Sequence, residues 1–173
     1  MDLQKNLLEG RIPTELGLLT NLESMGLHEN QFTGNIPTQF GNLKRITEMA
    51  MYKNQLTGGL PTELGNLEIL KVLDVATNGL RGKLPEELGY LPYLEVLNLY
   101  GNGFNGNLPS SYENFKSLNV FQIQFNSLSG NVGFVCNEIM LADMVADCGG
   151  ASSKVKCSCC TYCCDRTGSC EEN

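Results

Sequence analysis

Eight cysteines crowd the last 38 residues of this 173-residue chain and none precedes them: Cys136, Cys148, Cys157, Cys159, Cys160, Cys163, Cys164 and Cys170. Thiols at that density either pair as disulfides in an oxidising compartment or, as thiolates, hold a soft metal such as zinc. The run Cys160-Thr-Tyr-Cys163 has ligand-like spacing. An even count confined to a compact tail, with a single histidine in the whole chain, favours pairing, so four disulfides and no metal are expected. Eight cysteines allow about 105 pairings, and the sequence selects none of them. The one histidine, His28, is read as an exposed surface residue. Catalysis requires a base oriented beside a nucleophile, or a pair of carboxylates in a pocket, and no such constellation can be assembled here. No catalytic residue and no cofactor are therefore assigned.

Composition narrows the partners. Nineteen acidic residues against twelve basic ones give a net charge of −7. Nucleic acid and anionic membrane both require a surplus of Lys and Arg on one face, so neither is expected. No apolar run approaches the roughly 18 residues that cross a bilayer. Met1-Asp2-Leu3-Gln4-Lys5 lacks the apolar stretch of a signal peptide.

The elements that position these groups are written as a repeat. Asn6, Asn30, Asn54, Asn78, Asn102 and Asn126 follow one another at intervals of 24 residues. Four residues after each comes glycine, from Gly10 to Gly130, and seven residues after the first five comes proline, from Pro13 to Pro109. Apolar pairs keep step, such as Phe32 with Ile36 and Leu80 with Leu84. Ahead of each asparagine an alternation such as Leu73-Asp74-Val75 or Leu97-Asn98-Leu99 has the period of a short strand. A coil of this length cannot bury its apolar edge alone, so stacked coils build one core in which like positions meet at the ~4.8 Å strand spacing. The asparagine stands where the chain leaves the strand, and it can satisfy backbone groups that the turn leaves unpaired.

Segments such as Asn30-Gln-Phe-Thr-Gly-Asn-Ile-Pro-Thr-Gln-Phe-Gly resemble the plant-type leucine-rich repeat over residues 1–135. The resemblance implies an α/β solenoid, a right-handed superhelix with a concave parallel β-sheet, a short second strand near the Gly-x-Ile-Pro segment, and a convex side of 3₁₀ turns and loops. Residues 136–173 form the remainder, a degenerate last coil followed by a disulfide-rich C-terminal cap. Within it Val145 is expected to continue the core row of the earlier coils at the 24-residue spacing. Ala146-Asp-Cys148 followed by Cys157-x-Cys-Cys-Thr-x-Cys-Cys resembles the tail of secreted or cell-surface leucine-rich-repeat proteins of diatoms and related algae. An extracellular or cell-surface location is implied. Family members begin with a cysteine-paired cap, whereas here the first coil opens at Leu3, so a missing cap or a partner is expected at that edge.

On each strand the residues flanking the buried pair face the concave surface. His28, Tyr52, Asp74, Asn98, Tyr100, Gln122, Gln124 and Phe125 then form a mixed aromatic and amide surface suited to a protein, peptide or glycan. The plainer reading is solvated decoration, which any solenoid must carry. A row of hydroxyls at Thr14, Thr38 and Thr62 fits a flat surface such as ice, but also caps for the turns that follow. Two functions remain open: a non-catalytic recognition module, and a structural or adhesive component of an extracellular matrix or cell wall.

Overall fold

The computed structural model of the protein describes residues 1–131, 143–147, 155–156, 160–164 and 170–172. Cys136, Cys148, Cys157 and Cys159 lie outside the described residues, and of Cys170 only the strand position is described.

Each coil is built of three short pieces. The first is a three-residue strand: β2 (Ser24–Gly26), β4 (Glu48–Ala50), β6 (Val72–Asp74), β8 (Val96–Asn98) and β10 (Val120–Gln122). The second follows the ladder asparagine: β1 (Glu9–Arg11), β3 (Gln31–Gly34), β5 (Gln55–Gly58), β7 (Gly79–Gly82), β9 (Gly103–Asn107) and β11 (Ser127–Asn131). The third is a 3₁₀ turn directly after the proline, at Thr14–Leu18, Thr38–Asn42, Thr62–Asn66, Glu86–Tyr90 and Ser110–Asn114. Proline, with φ between −60° and −71°, sets the extended entry to each turn. The threonine hydroxyls were a candidate for capping these turns, but no side chain caps any of them. Thr14, Thr38 and Thr62 stand one residue too far along, inside the turn, where the hydroxyl reaches only the neighbouring Glu15, Gln39 or Glu63 side chain.

Stacking the coils produces two sheets. The first-strand sheet runs β2-β4-β6-β8-β10 and continues through β12 (Asp143–Ala146), β14 (Tyr162–Cys164) and β15 (Cys170–Glu172). Every pairing in it is parallel except the last, where β15 lies antiparallel to β14. The second sheet runs β1-β3-β5-β7-β9-β11 and ends on β13 (Val155–Lys156). The core lies between the sheets and the 3₁₀ turns. Met25, Met49, Leu73, Leu97, Phe121 and Met144 are stacked in register and fully buried. Each such side chain contributes roughly 1.5–3 kcal/mol through burial.

Met144 in that row corrects one expectation. Val120 pairs with Asp143, Phe121 with Met144 and Gln122 with Val145, so β12 follows β10 by 23 residues rather than 24 and Val145 takes the outward position. A one-residue change of register exchanges the two faces of a strand.

The ladder behaves as its chemistry demands. The Asn54 amide donates to the carbonyls of Leu27 and Met51, each at 3.0 Å, and its Oδ1 accepts the Phe32 N–H at 3.0 Å. Asn30, Asn78, Asn102 and Asn126 repeat the pattern. The Asn6 side chain keeps only contacts to Leu3 and Gln4 and is exposed. The residue before each asparagine takes a left-handed conformation: Lys5, Glu29, Lys53, Thr77 and Phe125 have φ of 53° to 57°, and Gly101 has 64°. Side chains seldom adopt it, and β-branched Thr77 is strained there. The side-chain hydrogen bonds of the next residue hold the turn in place.

Candidate functional site

The outward face of the β2-β14 sheet gathers the predicted site residues in two parallel rows. Gly26, Ala50, Asp74, Asn98, Gln122 and Val145 occupy adjacent strands directly. Two residues further along each chain stand His28, Tyr52, Ala76, Tyr100 and Gln124, whose strand-to-strand order follows from the backbone bonds Glu29 to Tyr52, Lys53 to Ala76, Thr77 to Tyr100 and Gly101 to Gln124.

In the second row, rings meet rings. His28 stacks on Tyr52 with centroids 4.2 Å apart and planes 18° from parallel. Tyr100 meets Phe125 edge to face at 5.3 Å. Both geometries are favourable for aromatic pairs and hold the rings against one another. Burial, followed by the charges of Glu29 and Asp74, raises the Tyr52 phenol above its usual range. Lys53 turns toward Glu29, 3.7 Å away, with its ammonium 6.0 Å from the Tyr52 centroid.

The first row is polar and tied to its own backbone. Asp74 Oδ1 accepts the Ala76 N–H at 3.0 Å, and Asn98 Oδ1 accepts the Tyr100 N–H at 3.2 Å. The Asn98 amide then donates to Asp74 Oδ2 at 3.2 Å. Burial raises the Asp74 carboxyl above the ordinary carboxylate range, against the opposing effects of the Ala76 and Asn98 hydrogen bonds and of nearby His28. Gln122 donates to Asp143 at 2.9 Å. Of the eight site residues, Gln124 alone is buried, with its Oε1 unpartnered among the described residues, so it presents little accessible surface. Near β2 the face sinks into a depression of about 270 Å³ bounded by Asp2, Ser24, Gly26, His28, Glu48 and Ala50.

Asp147 stands beside this face at a position that the 24-residue register hides. Its carboxylate accepts the Phe125 N–H at 2.7 Å and the Asn126 N–H at 3.0 Å. In interior coils these groups bond to carbonyls of the next coil, as Lys53 does to Ala76 and Asn54 to Thr77. A side chain thus replaces the backbone where the regular array stops. Burial raises the Asp147 carboxyl, and the two N–H donors pull it back. Only a 23-residue spacing would have aligned it with Gln124. Beyond it, Cys160, Cys163 and Cys164 are each disulfide-bonded, and Cys160 and Cys164 are buried. Among the described residues no helix is long and apolar enough to cross a membrane.

The Leucine Rich Repeat family model matches residues 21–43, 70–91 and 93–115. Comparison with curated protein sequences gave no match. Among solved structures, the chain is similar to the plant peptide hormone receptor RGFR1 in complex with RGF2, at 36% identity and a TM-score of 0.73 over 75% of this chain. The match spans 21% of that receptor's chain, so this protein corresponds to about a fifth of its length. It is also similar to a plant ice-binding protein, at 26% identity and a TM-score of 0.77, covering 91% of this chain and 49% of the other. The BIR3–SERK2 complex from Arabidopsis thaliana matches at 31% identity and a TM-score of 0.66, covering 75% of this chain and 69% of the other. Repeat register, paired sheets, asparagine ladder and these likenesses agree: the chain belongs to the leucine-rich-repeat family.

Proposed function

We propose that this protein is a non-catalytic recognition module that works outside the cell or at its surface and takes a peptide or protein segment on the outward face of the β2-β14 sheet. One observation carries the reading: the exposed rings and amides of that face are immobilised by one another rather than left as solvated decoration. Tyr52 is stacked, Tyr100 is braced, and Asp74 and Asn98 are each bonded to backbone and to each other. Ordered aromatic and amide groups lose little entropy on binding. The likeness to a receptor solved with a peptide hormone supports the same use. The tail, with the resemblance noted above, is proposed as a four-disulfide cap over the last coil. The threonine row gives no second reading, because it ends at Glu86.

The test is a display screen of peptides against the intact protein. Saturable binders whose affinity falls at least tenfold on Tyr100→Ala or Phe125→Ala are expected. Concentration-dependent self-association with no such dependence would replace this reading with a matrix or adhesive role.

A further inference from the structure

Ala76 interrupts the row His28, Tyr52, Ala76, Tyr100, Gln124 with a methyl group between two tyrosines. Strands of a sheet lie about 4.8 Å apart, so Tyr52 and Tyr100, two strands apart, rise from backbones about 10 Å apart. Each wall is braced from the side away from the gap: His28 lies in the coil before Tyr52, and Phe125 in the coil after Tyr100. Because His28 and Tyr52 are nearly parallel and one strand apart, the second face of the Tyr52 ring is turned toward the space over Ala76. The result is a slot one side-chain position wide.

The side of the slot carries a carboxylate with no ion-pair partner among the described residues. Asp74 is half-buried beside it and holds two hydrogen bonds, from the Ala76 N–H and the Asn98 amide, one on each oxygen. Neither ion pair among the described residues includes Asp74: they join Lys53 to Glu29 and Lys71 to Glu95. Lys53 is paired with Glu29 of the preceding coil at 3.7 Å, and His28, whose charge acts on Asp74 from a distance, is stacked on the Tyr52 ring. Each Asp74 oxygen keeps a lone pair for a further donor. A cation midway between the two backbones would stand about 5 Å from the Tyr52 ring, inside the ~6 Å range over which an aromatic face attracts positive charge, with Tyr100 as the opposite wall. A planar guanidinium fits within the width and matches two carboxylate oxygens with two parallel N–H bonds, which an ammonium cannot do. A neutral ring of the same size would leave the carboxylate uncompensated.

We propose that the slot between Tyr52 and Tyr100, floored by Ala76 and flanked by Asp74 and Asn98, is a subsite for an arginine side chain of a basic peptide ligand. The inference rests on the outward sheet face being the recognition surface. The net charge of −7 favours approach of such a ligand.

The probe is the blocked tripeptide acetyl-Gly-Arg-Gly-amide, titrated into the isotopically labelled intact protein while the Ala76 and Thr77 amide signals are followed. Saturable shifts are expected, at least tenfold weaker for the citrulline counterpart, which keeps the shape and loses the charge. Ala76→Leu, which fills the slot, and Asp74→Asn, which removes the charge, should each weaken binding tenfold or more while distant signals stay in place. Equal binding of citrulline, indifference to both substitutions, or no saturable shift would overturn the subsite. A parallel screen with peptides lacking Arg and Lys separates the two readings. Binders from that pool that depend on Tyr100 or Phe125 would leave the recognition module standing without an arginine subsite, and failure of both pools would remove both.

Discussion

A single amide ladder shows how much one residue can hold. Asn78 donates to the carbonyls of Met51 and Val75, each at 3.1 Å, and accepts the Leu56 N–H at 3.0 Å, so Asn78→Ala strands groups in two neighbouring coils. A loss of roughly 1–3 kcal/mol is expected, read as a lower denaturation midpoint. Asn6→Ala should cost far less, since its contacts are exposed and confined to its own coil. Equal losses would contradict the ladder's role. Asp74 gives a pH signature. Its carboxyl titrates above the ordinary range in the folded protein, so its contribution to stability is largest in acid and declines as pH rises through the folded titration. The melting temperature of the native protein relative to Asp74→Asn should therefore be more favourable near pH 4 than at pH 7. A gap that moves the other way would contradict the burial of this group.

Among the elements, the 3₁₀ turns are packed more tightly than the strands. A Cβ on Gly41 would lie 2.5 Å from the Glu63 carbonyl oxygen, and the same clash recurs at Gly17, Gly65 and Gly89. Gly41→Ala should destabilise by about 1–3 kcal/mol, since backbone rather than a flexible side chain blocks the new methyl. An unchanged thermal midpoint would mean that successive turns can separate without cost. The strands, the proline-led turns and the ladder could be read directly from the sequence, because each depends on a residue type at fixed spacing, whereas the need for this second glycine row shows only in the packing of the turns. Other features depended on context. The threonines sit in the right segment to cap but one position too late. Val145 kept the spacing of the repeat while the chain had dropped a residue. Gln124 occupies an outward position yet is buried. The gap at Ala76 went unread because pattern recognition weighs the residues that are present, and a slot is made by one that is small. Thr77 and Phe125 gave no sign of their left-handed backbone, which only Gly101 betrays by type.

Over the whole molecule, stability should fall away toward the first coil. Of residues 1–11 none is buried, Leu7 is 82% exposed, and β1 is paired on one side only. Hydrogen exchange is expected to be fastest in residues 1–20 and slowest between Asn54 and Asn102, where coils are covered on both sides. Uniform protection in a demonstrated monomer would show that the first coil is covered after all. At the far end, mass measurement without reductant should find four disulfides and no metal, whereas free thiols binding zinc would displace the proposed cap. The antiparallel strand β15 has a further consequence for assembly. Head-to-tail association of identical subunits repeats without limit whenever the two ends are complementary, and parallel coils are complementary by construction. Reversing the last strand alters that complementarity in one sheet: β15 runs against β2 rather than with it, so a copy stacked head to tail there would have to pair antiparallel, while β13 keeps the parallel sense of the other sheet.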